Sequence, residues 1–143
     1  MKCQTIIDEK REEEVFIYAQ KRSSLVDEIE RLVESNNLTI KGTKDDEIII
    51  INPLDVTCFI SQNNKVFALI GEEQYKIKER LYQLEEMMDE NYIKINQSCL
   101  ANIKRIDRFS SSLGGAIMLL FDNGYKDYIS RRELKKFKER MGL

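Results

Sequence analysis

The stretch NQSCLANIKRI, residues 96–106, separates two extended segments in the C-terminal third of the chain. It begins with three polar residues, continues with the apolar run CLA, and places two cations directly before Ile106. The run YIKI before it and the run beginning at Ile106 both have the character of strands. A polar turn followed by positive charge between two strands is typical of a loop that does more than connect them.

The residues on both sides of this stretch predict an antiparallel β domain. From Leu38 onward, short β-rich runs alternate with the turn-forming sequences KDDE, NPLD, QNN and GEE. Strands this close in sequence favour a meander, and Asn123-Gly124 between two apolar runs predicts a further hairpin. The segment RLYQLEEMMDE predicts a short helix, and RRELKKFKERMGL predicts a basic helix at the end. The predicted fold class is therefore mainly β with small helices (α+β).

Residues 1–37 predict a separate ββα extension before the domain of residues 38–143. The runs MKCQTII and EVFIYAQ have strand character around a charged turn, and SSLVDEIERLVESNN has helical periodicity. The apolar residues of that helix fall on one stripe: Leu25, Ile29, Leu32 and Val33. Ser23 or Ser24 can cap it. Because the extension is acidic and its helix is amphipathic, we expect it to mediate dimerisation or partner contact.

The composition argues against most catalytic and cofactor-binding classes. The chain has no histidine, so Ser-His-Asp and Cys-His triads and histidine metal sites are excluded. Its three cysteines lack CxxC spacing, and no glycine-rich phosphate loop is present. The carboxylates lie in charge runs that are typical of solvated faces. We therefore predict no metal, no cofactor and no enzymatic activity.

The apolar runs are too short to cross a bilayer, and the N-terminus MKCQTIIDEK lacks the apolar core of a signal peptide. These features predict a cytoplasmic protein.

The net charge of −2 hides a strong asymmetry along the chain. Residues 1–90 carry 12 Lys/Arg against 20 Asp/Glu, whereas residues 91–143 carry 11 against 5. The two parts therefore have net charges of −8 and +6. A basic region on an acidic body is typical of a localised polyanion-binding surface, although a solvated basic helix face has the same charge.

Polar and basic residues collect at predicted strand ends and at the start of the last helix. They are Lys65, Asn96, Gln97, Ser98, Lys104, Arg105, Lys126, Ser130, Arg131 and Arg132. Taken singly, the serines are good N-caps and the arginines are ordinary exposed residues. Taken together, they hold the chemistry of base and phosphate recognition, since Arg reads guanine, Gln or Asn reads adenine, and Lys binds phosphate or guanine. This combination favours a nucleic-acid reader without a recognition helix.

Several spaced motifs resemble the LytTR DNA-binding domain family over roughly residues 40–142. The family pattern has a polar residue with Ser, a hydrophobic pair with Asn, a basic step with Ile, an NG hairpin and a closing SRR. Here these are Gln97-Ser98, Leu100-Ala101-Asn102, Lys104-Arg105-Ile106, Asn123-Gly124 and Ser130-Arg131-Arg132. The segment PLDVTCFISQNNKVFALIG is similar to the family's earlier strand and base-contacting loop.

The resemblance implies an all-β module that inserts loops into successive major grooves of promoter DNA, in pairs on repeated sites, and bends the duplex. By position it places base-reading roles on Lys65, Gln97 and Arg132. It further implies a base-facing loop at Asn96–Gln97, a turn capped by Ser98, and a core plug formed by the run CLA. The phosphate contacts expected from their chemistry are Lys104, Arg105, Lys126 and Arg131.

Residues 1–37 are too short for the receiver domain that most family members carry, so the chain resembles the stand-alone LytTR regulators. These act as dimers on DNA and are often encoded beside membrane proteins that control them, which makes a regulatory membrane-protein partner a further expectation. The alternative is a protein-interaction module whose basic C-terminal face docks an acidic partner or a membrane-protein tail. Preference for one DNA sequence over a scrambled duplex at the same salt concentration separates the two.

Overall fold

The computed structural model describes residues 2–111 and 115–143, and these ranges form ten strands and three α-helices. The helices are α1 Ser24–Asn37, α2 Leu81–Met87 and α3 Arg131–Met141. The strands are β1 Ile40–Lys44, β2 Glu47–Ile51, β3 Cys58–Gln62, β4 Lys65–Ile70, β5 Glu73–Ile77, β6 Tyr92–Asn96, β7 Cys99–Asn102, β8 Ile106–Ser111, β9 Ile117–Phe121 and β10 Lys126–Ile129. Short 3-10 turns occupy Pro53–Asp55 and Ile103–Arg105. The predicted α+β class is confirmed.

The strands form two antiparallel sheets. The larger has seven strands in the order β2-β1-β5-β4-β3-β7-β6, and the smaller has three in the order β10-β9-β8. Two-residue turns close the β1–β2 and β3–β4 hairpins at Asp45-Asp46 and Asn63-Asn64. All four turn residues have φ between +50° and +65°, a conformation that Asn and Asp tolerate better than other non-glycine residues.

Strands β3, β6 and β7 are buried on both faces because they separate two hydrophobic cores. One core includes Phe59, Tyr92 and Leu100 and is covered by Leu84 of α2. The other lies towards the smaller sheet and includes Ile95 and the fully buried Phe137 of α3. Alternate side chains of each strand therefore enter different cores, as the period of two along a strand requires.

The run CLA, which was predicted to fill the core, also forms part of a strand. It forms strand β7, which pairs with β6 on one side and with β3 on the other. Its four residues, Cys99–Asn102, are all buried. The apolar character of the run predicts from sequence that it is buried. Its position between β3 and β6, however, depends on pairing with β3, which lies about forty residues earlier in the chain.

The prediction of two strands at the N-terminus is wrong, because residues 2–23 contain no strand. Met1, the first residue of the predicted extension, lies outside the described residues. The apolar side chains of both runs are exposed instead: Ile6, Ile7, Val15, Phe16 and Tyr18. An isolated two-stranded hairpin is only marginally stable, and no described element covers these side chains.

The predicted helix does form, as α1, and Ser23 is the residue that caps it. The Ser23 hydroxyl oxygen accepts a hydrogen bond from the Val26 N–H at 3.4 Å. Val26 of this helix is buried, whereas Leu25 of the predicted stripe is 44% exposed. No helix in the described part of the chain is long and apolar enough to span a membrane.

Candidate nucleic-acid interface

Two turns lie side by side at one end of the larger sheet. One is the Asn63-Asn64 turn of the β3–β4 hairpin, and the other is the Gln97-Ser98 turn of the β6–β7 hairpin. Strands β3 and β7 are neighbours, and the Ser61 N–H donates to the Ser98 carbonyl at 2.9 Å. The pairing therefore brings Lys65, at the start of β4, to the same end of the sheet as Gln97.

The N-terminus of α3 lies at the same end of the larger sheet as these two hairpin turns. The Ser130 N–H donates to the Ile95 carbonyl at 2.8 Å, which fixes the start of α3 beside the end of β6. The buried ring of Phe137 holds the helix from its other side and packs edge-to-face against Phe109, with ring centroids 6.0 Å apart. We refer to the β3–β4 turn, the β6–β7 turn and the first turn of α3 together as the loop end.

An open groove runs between the β6–β7 turn and α3. Its lining residues are Lys94, Asn96, Gln97, Ser98, Tyr128, Ser130, Arg132 and Glu133. Gln97, Ser98 and Arg132 are exposed at its rim. Ser130 occupies the N-cap position of α3, but its side chain makes no capping hydrogen bond. The structure thus brings together the residues predicted on the β6–β7 loop and Arg132.

Asn96 differs from the expectation of a base-facing side chain, because it is only 4% exposed. Its amide nitrogen donates to the Asp127 carboxylate and to the Tyr128 carbonyl, both at 2.9 Å. Its amide oxygen accepts from the Ser98 N–H at 2.8 Å. These bonds occupy the amide and hold the Gln97-Ser98 turn against β10, so the side chain is buried in the scaffold and is not exposed as a base-facing residue would be.

Lys65 is exposed at the first position of β4, opposite Gln62. The turn before it is held by Arg80, whose guanidinium donates to the Asn64 carbonyl at 3.0 Å. The fixed turn restricts the directions in which the Lys65 side chain can leave the loop end.

Lys104 and Arg105 lie at the opposite end of the β6–β7 hairpin. They follow Asn102, which pairs with Tyr92 at the start of β6, about 13 Å along the strand from Asn96. The Arg105 guanidinium donates to the Leu54 carbonyl at 2.9 Å and to the Asp122 carboxylate at 3.3 Å. The expected grouping of these two residues with the base-facing loop does not form, because β7 leads the chain from that loop to the opposite end of the hairpin.

Lys126 and Arg131 are both exposed. Arg131 is the first residue of α3, next to Arg132, and so belongs to the loop end. Lys126 begins β10 on the same face as Tyr128, about 7 Å from it along the strand. Further cations lie exposed along α3: Lys135, Lys136, Lys138 and Arg140.

Three lining residues were not among the sequence-predicted contacts: Lys94, Tyr128 and Glu133. Lys94 lies between the buried residues Ile93 and Ile95 of β6. A polar residue between two buried ones in a strand points away from their core. This alternation in the sequence could have identified Lys94. Tyr128 carried no comparable signal, because only the position of β10 beside β6 brings it to the groove.

Two titratable groups near the groove, the half-buried Tyr125 and the buried Cys99, belong to the scaffold. The Tyr125 hydroxyl donates to Asp127 at 3.0 Å, and burial and the neighbouring carboxylate raise the pKa of Tyr125. Hydrogen bonding to Cys58 and burial raise the pKa of the Cys99 thiol. Both groups stay protonated at neutral pH. Among the described residues, no cluster of three potential metal ligands is present.

The family model described as the LytTr DNA-binding domain matches residues 46–142, a range that holds both turns and α3. The chain belongs to this family. Two curated relatives from Staphylococcus aureus carry the name HTH-type transcriptional regulator. The relative from strain MSSA476 is 33% identical over 146 residues, which is 100% of this chain and 99% of the relative. The relative from strain NCTC 8325 is 33% identical over 120 residues, which is 84% of this chain and 80% of the relative.

A solved LytTr DNA-binding domain from Bacillus cereus shares the fold of this LytTR chain, with a TM-score of 0.70. The two are 18% identical, and the match covers 73% of this chain and 97% of the solved one. Within the described ranges, strands separate α1 from α2 and α2 from α3. No two described helices therefore form the helix-turn-helix unit that the relatives' names suggest.

Proposed function

We propose that this LytTR protein is a transcriptional regulator that reads promoter DNA with its loop end. The observation that carries this proposal is the meeting of the Gln97-Ser98 turn and Arg132 along one groove, with Lys65 at the same end of the sheet. Three separate elements present the side chains. The family and the names of the Staphylococcus aureus relatives support the assignment.

The chemistry of the loop end suits reading in the major groove. The fork of donors on Arg132 can bond both acceptors of a guanine, and the Gln97 amide can bond adenine in the same bidentate way. Lys65 can donate to a guanine edge or to a phosphate. The positive end of the α3 dipole and the half-buried Ser130 N-cap lie beside the groove and favour a nearby phosphate.

Phosphate contacts provide affinity without specificity, and their candidates are Arg131, Lys126 and Lys94. Arg131 lies beside the groove, Lys94 lines it, and Lys126 lies just outside it. We assign a positioning role to Asn96 and a scaffold role to Arg105, because internal hydrogen bonds occupy both side chains. Lys104 follows β7 at the other end of the β6–β7 hairpin, so we assign it no contact in this proposal.

Binding of the purified protein to the DNA upstream of its own gene tests the proposal. Affinity for this duplex is compared with affinity for a scrambled duplex of the same length and composition, across a series of salt concentrations. We expect a clear preference for the natural sequence together with a steep loss of affinity as salt increases. Equal affinity for both duplexes at every salt concentration would support the protein-interaction alternative instead.

Binding in pairs on repeated sites and control by a membrane-protein partner are further parts of this proposal. Footprint length on the natural promoter measures the first, because two bound copies protect about twice the length that one copy protects.

A further inference from the structure

Strand β2 forms one edge of the larger sheet and carries an unusual sequence for such a position. Among the described residues, β2 pairs only with β1, so its outer side has no strand partner. Its sequence is EIIII, and Ile48 and Ile50 are 71% and 72% exposed. Natural edge strands normally carry lysine, proline or a bulge that prevents pairing with another chain. From Ile48 to Ile51, β2 has none of these.

The register of the β1–β2 hairpin shows which backbone groups face outward. Lys44 and Glu47 flank the two-residue turn and form its closing pair, and in such a hairpin this pair is hydrogen-bonded. Hydrogen-bonded and non-bonded pairs alternate along an antiparallel ladder. The N–H and C=O groups of Ile48 and Ile50 therefore point away from β1, towards the open edge.

We propose that the β2 edges of two copies of this chain pair antiparallel about a two-fold axis at Ile49. In this register Ile48 lies opposite the partner's Ile50, and Ile50 lies opposite the partner's Ile48. The outward N–H and C=O groups of both residues then meet their counterparts. The register also uses all five residues of β2 and keeps the two copies of Glu47 at opposite ends of the paired segment.

The side chains on the exposed face fit the same arrangement. Directly opposite residues of an antiparallel pair lie on one face, so two isoleucines from each copy form a cluster of four. On β1, Lys41 pairs with Ile50 and Thr43 pairs with Ile48, and both are exposed. The cluster is therefore bordered on each side by a lysine and a threonine. An apolar centre with a polar rim is the usual anatomy of a protein interface.

A second copy matches this edge because the arrangement is self-complementary, as an isologous two-fold contact must be. One strand edge offers less area than the 1,200–2,000 Å² of a standard stable interface. We therefore expect a dimer that forms at high protein concentration and dissociates on dilution. The contact lies on β2 and does not depend on DNA binding.

Sedimentation equilibrium of the full chain, from micromolar to millimolar concentrations and without DNA, tests the proposal. We expect the unsubstituted protein to form dimers reversibly. Ile50→Lys replaces two central isoleucines per dimer with charges, so association should weaken more than about tenfold. Thr43→Lys adds the same charge to the same face one strand away, at the rim, and should leave most of the association. Circular dichroism of each variant verifies that it is folded.

Two further variants define the contact. In a Cys3→Ser background, Ile49→Cys should form a disulfide-linked dimer on mild oxidation, because Ile49 faces its own copy across the axis. Phe16→Asp tests the exposed N-terminal segment as an alternative occupant of the edge, and it should leave association unchanged. A monomer at millimolar concentration, equal association of Ile50→Lys and the unsubstituted protein, or loss of the dimer in Phe16→Asp would each overturn the proposal.

Discussion

The side chain of Asn96 on β6 hydrogen-bonds to the carboxylate of Asp127 on β10 at 2.9 Å. This bond joins the larger sheet to the smaller one directly beneath the Gln97-Ser98 turn. The same amide accepts from the Ser98 N–H, so one buried residue bonds both to the turn and to β10, the strand that precedes α3. Reading by loops requires such a support, because a turn alone does not hold its side chains in one direction.

Asn96→Ala should lower both folding stability and sequence-specific DNA binding. Loss of the buried hydrogen bonds should cost about 1–3 kcal/mol in the free energy of unfolding, measured by urea denaturation. Gln97→Ala is the matched control on the adjacent exposed residue, and it should change stability by less than about 0.5 kcal/mol while weakening specific binding. Full stability of Asn96→Ala would remove the positioning role.

The two ends of the larger sheet should differ in their effect on DNA binding. Lys65→Ala, at the loop end, should weaken specific binding by about 1–3 kcal/mol if the lysine reads a base. Lys104→Ala, at the other end, should change it by less than about 0.5 kcal/mol. Fluorescence anisotropy with the same duplex measures both variants. Equal losses for the two lysines would mean that the DNA covers a surface wider than the loop end.

Arg105 provides the control for this comparison. Arg105→Ala removes hydrogen bonds to Leu54 and Asp122 and should lower stability by about 1 kcal/mol, while the folded protein binds DNA as before.

Folding stability should fall as pH rises above about 8.5, the pKa of an unperturbed thiol. Hydrogen bonding to Cys58 and burial raise the pKa of Cys99 in the folded state. Above the unfolded pKa the unfolded chain loses this proton and the folded chain keeps it, so the unfolded state binds fewer protons and gains stability. The expected slope is about 1.4 kcal/mol per pH unit for this thiol.

Urea denaturation between pH 7.5 and pH 10, compared for the unsubstituted protein and Cys99→Ala, measures this effect. The alanine variant should be less stable at pH 7.5, since it leaves a small cavity, and the difference should shrink as pH rises because its stability depends less on pH. Parallel curves for the two proteins would assign the pH dependence to other groups.

Limited trypsin digestion should begin before α1. Lys10, Arg11 and Lys21 lie in the segment without strands and are exposed, so no sheet hydrogen bonds protect them. The lysines of α3 are exposed too, but the buried Phe137 holds that helix on the second core. Mass spectrometry of the first products should show cuts only N-terminal to Ser24. An initial cut within α3 would contradict this order.

Local signals predicted most of the strands and the start of the chain's basic helix, because turn chemistry, helix capping and strand periodicity lie in neighbouring residues. They failed where a partner distant in sequence decides the outcome. The runs around Phe16 and Ile6 have strand propensity but find no sheet, whereas CLA becomes β7 because β3 and β6 lie on both sides of it. Propensity alone does not distinguish these cases.

The candidate site was likewise predictable where local sequence decides and unpredictable where a distant partner does. Gln97 and Arg132 were identified from their residue types and the family pattern, and the fold brings them to one groove. The burial of Asn96 was not predictable, since it depends on Asp127 of another sheet. Lys104 is separated from the Gln97-Ser98 turn because the four residues of β7 lie between them. The polar residues at the start of the stretch gave no indication of the strand that follows.

Arg132 provides the most direct test of reading by the loop end. Arg132→Ala and Lys138→Ala remove cations from the same helix, one at the groove and one farther along. Both are titrated against the natural promoter duplex and against its scrambled form at one salt concentration. We expect Arg132→Ala to lose about 1–3 kcal/mol of binding free energy on the natural duplex and much less on the scrambled one, while Lys138→Ala loses little or loses equally on both. Equal losses on the two duplexes for Arg132→Ala, or no loss on either, would contradict it.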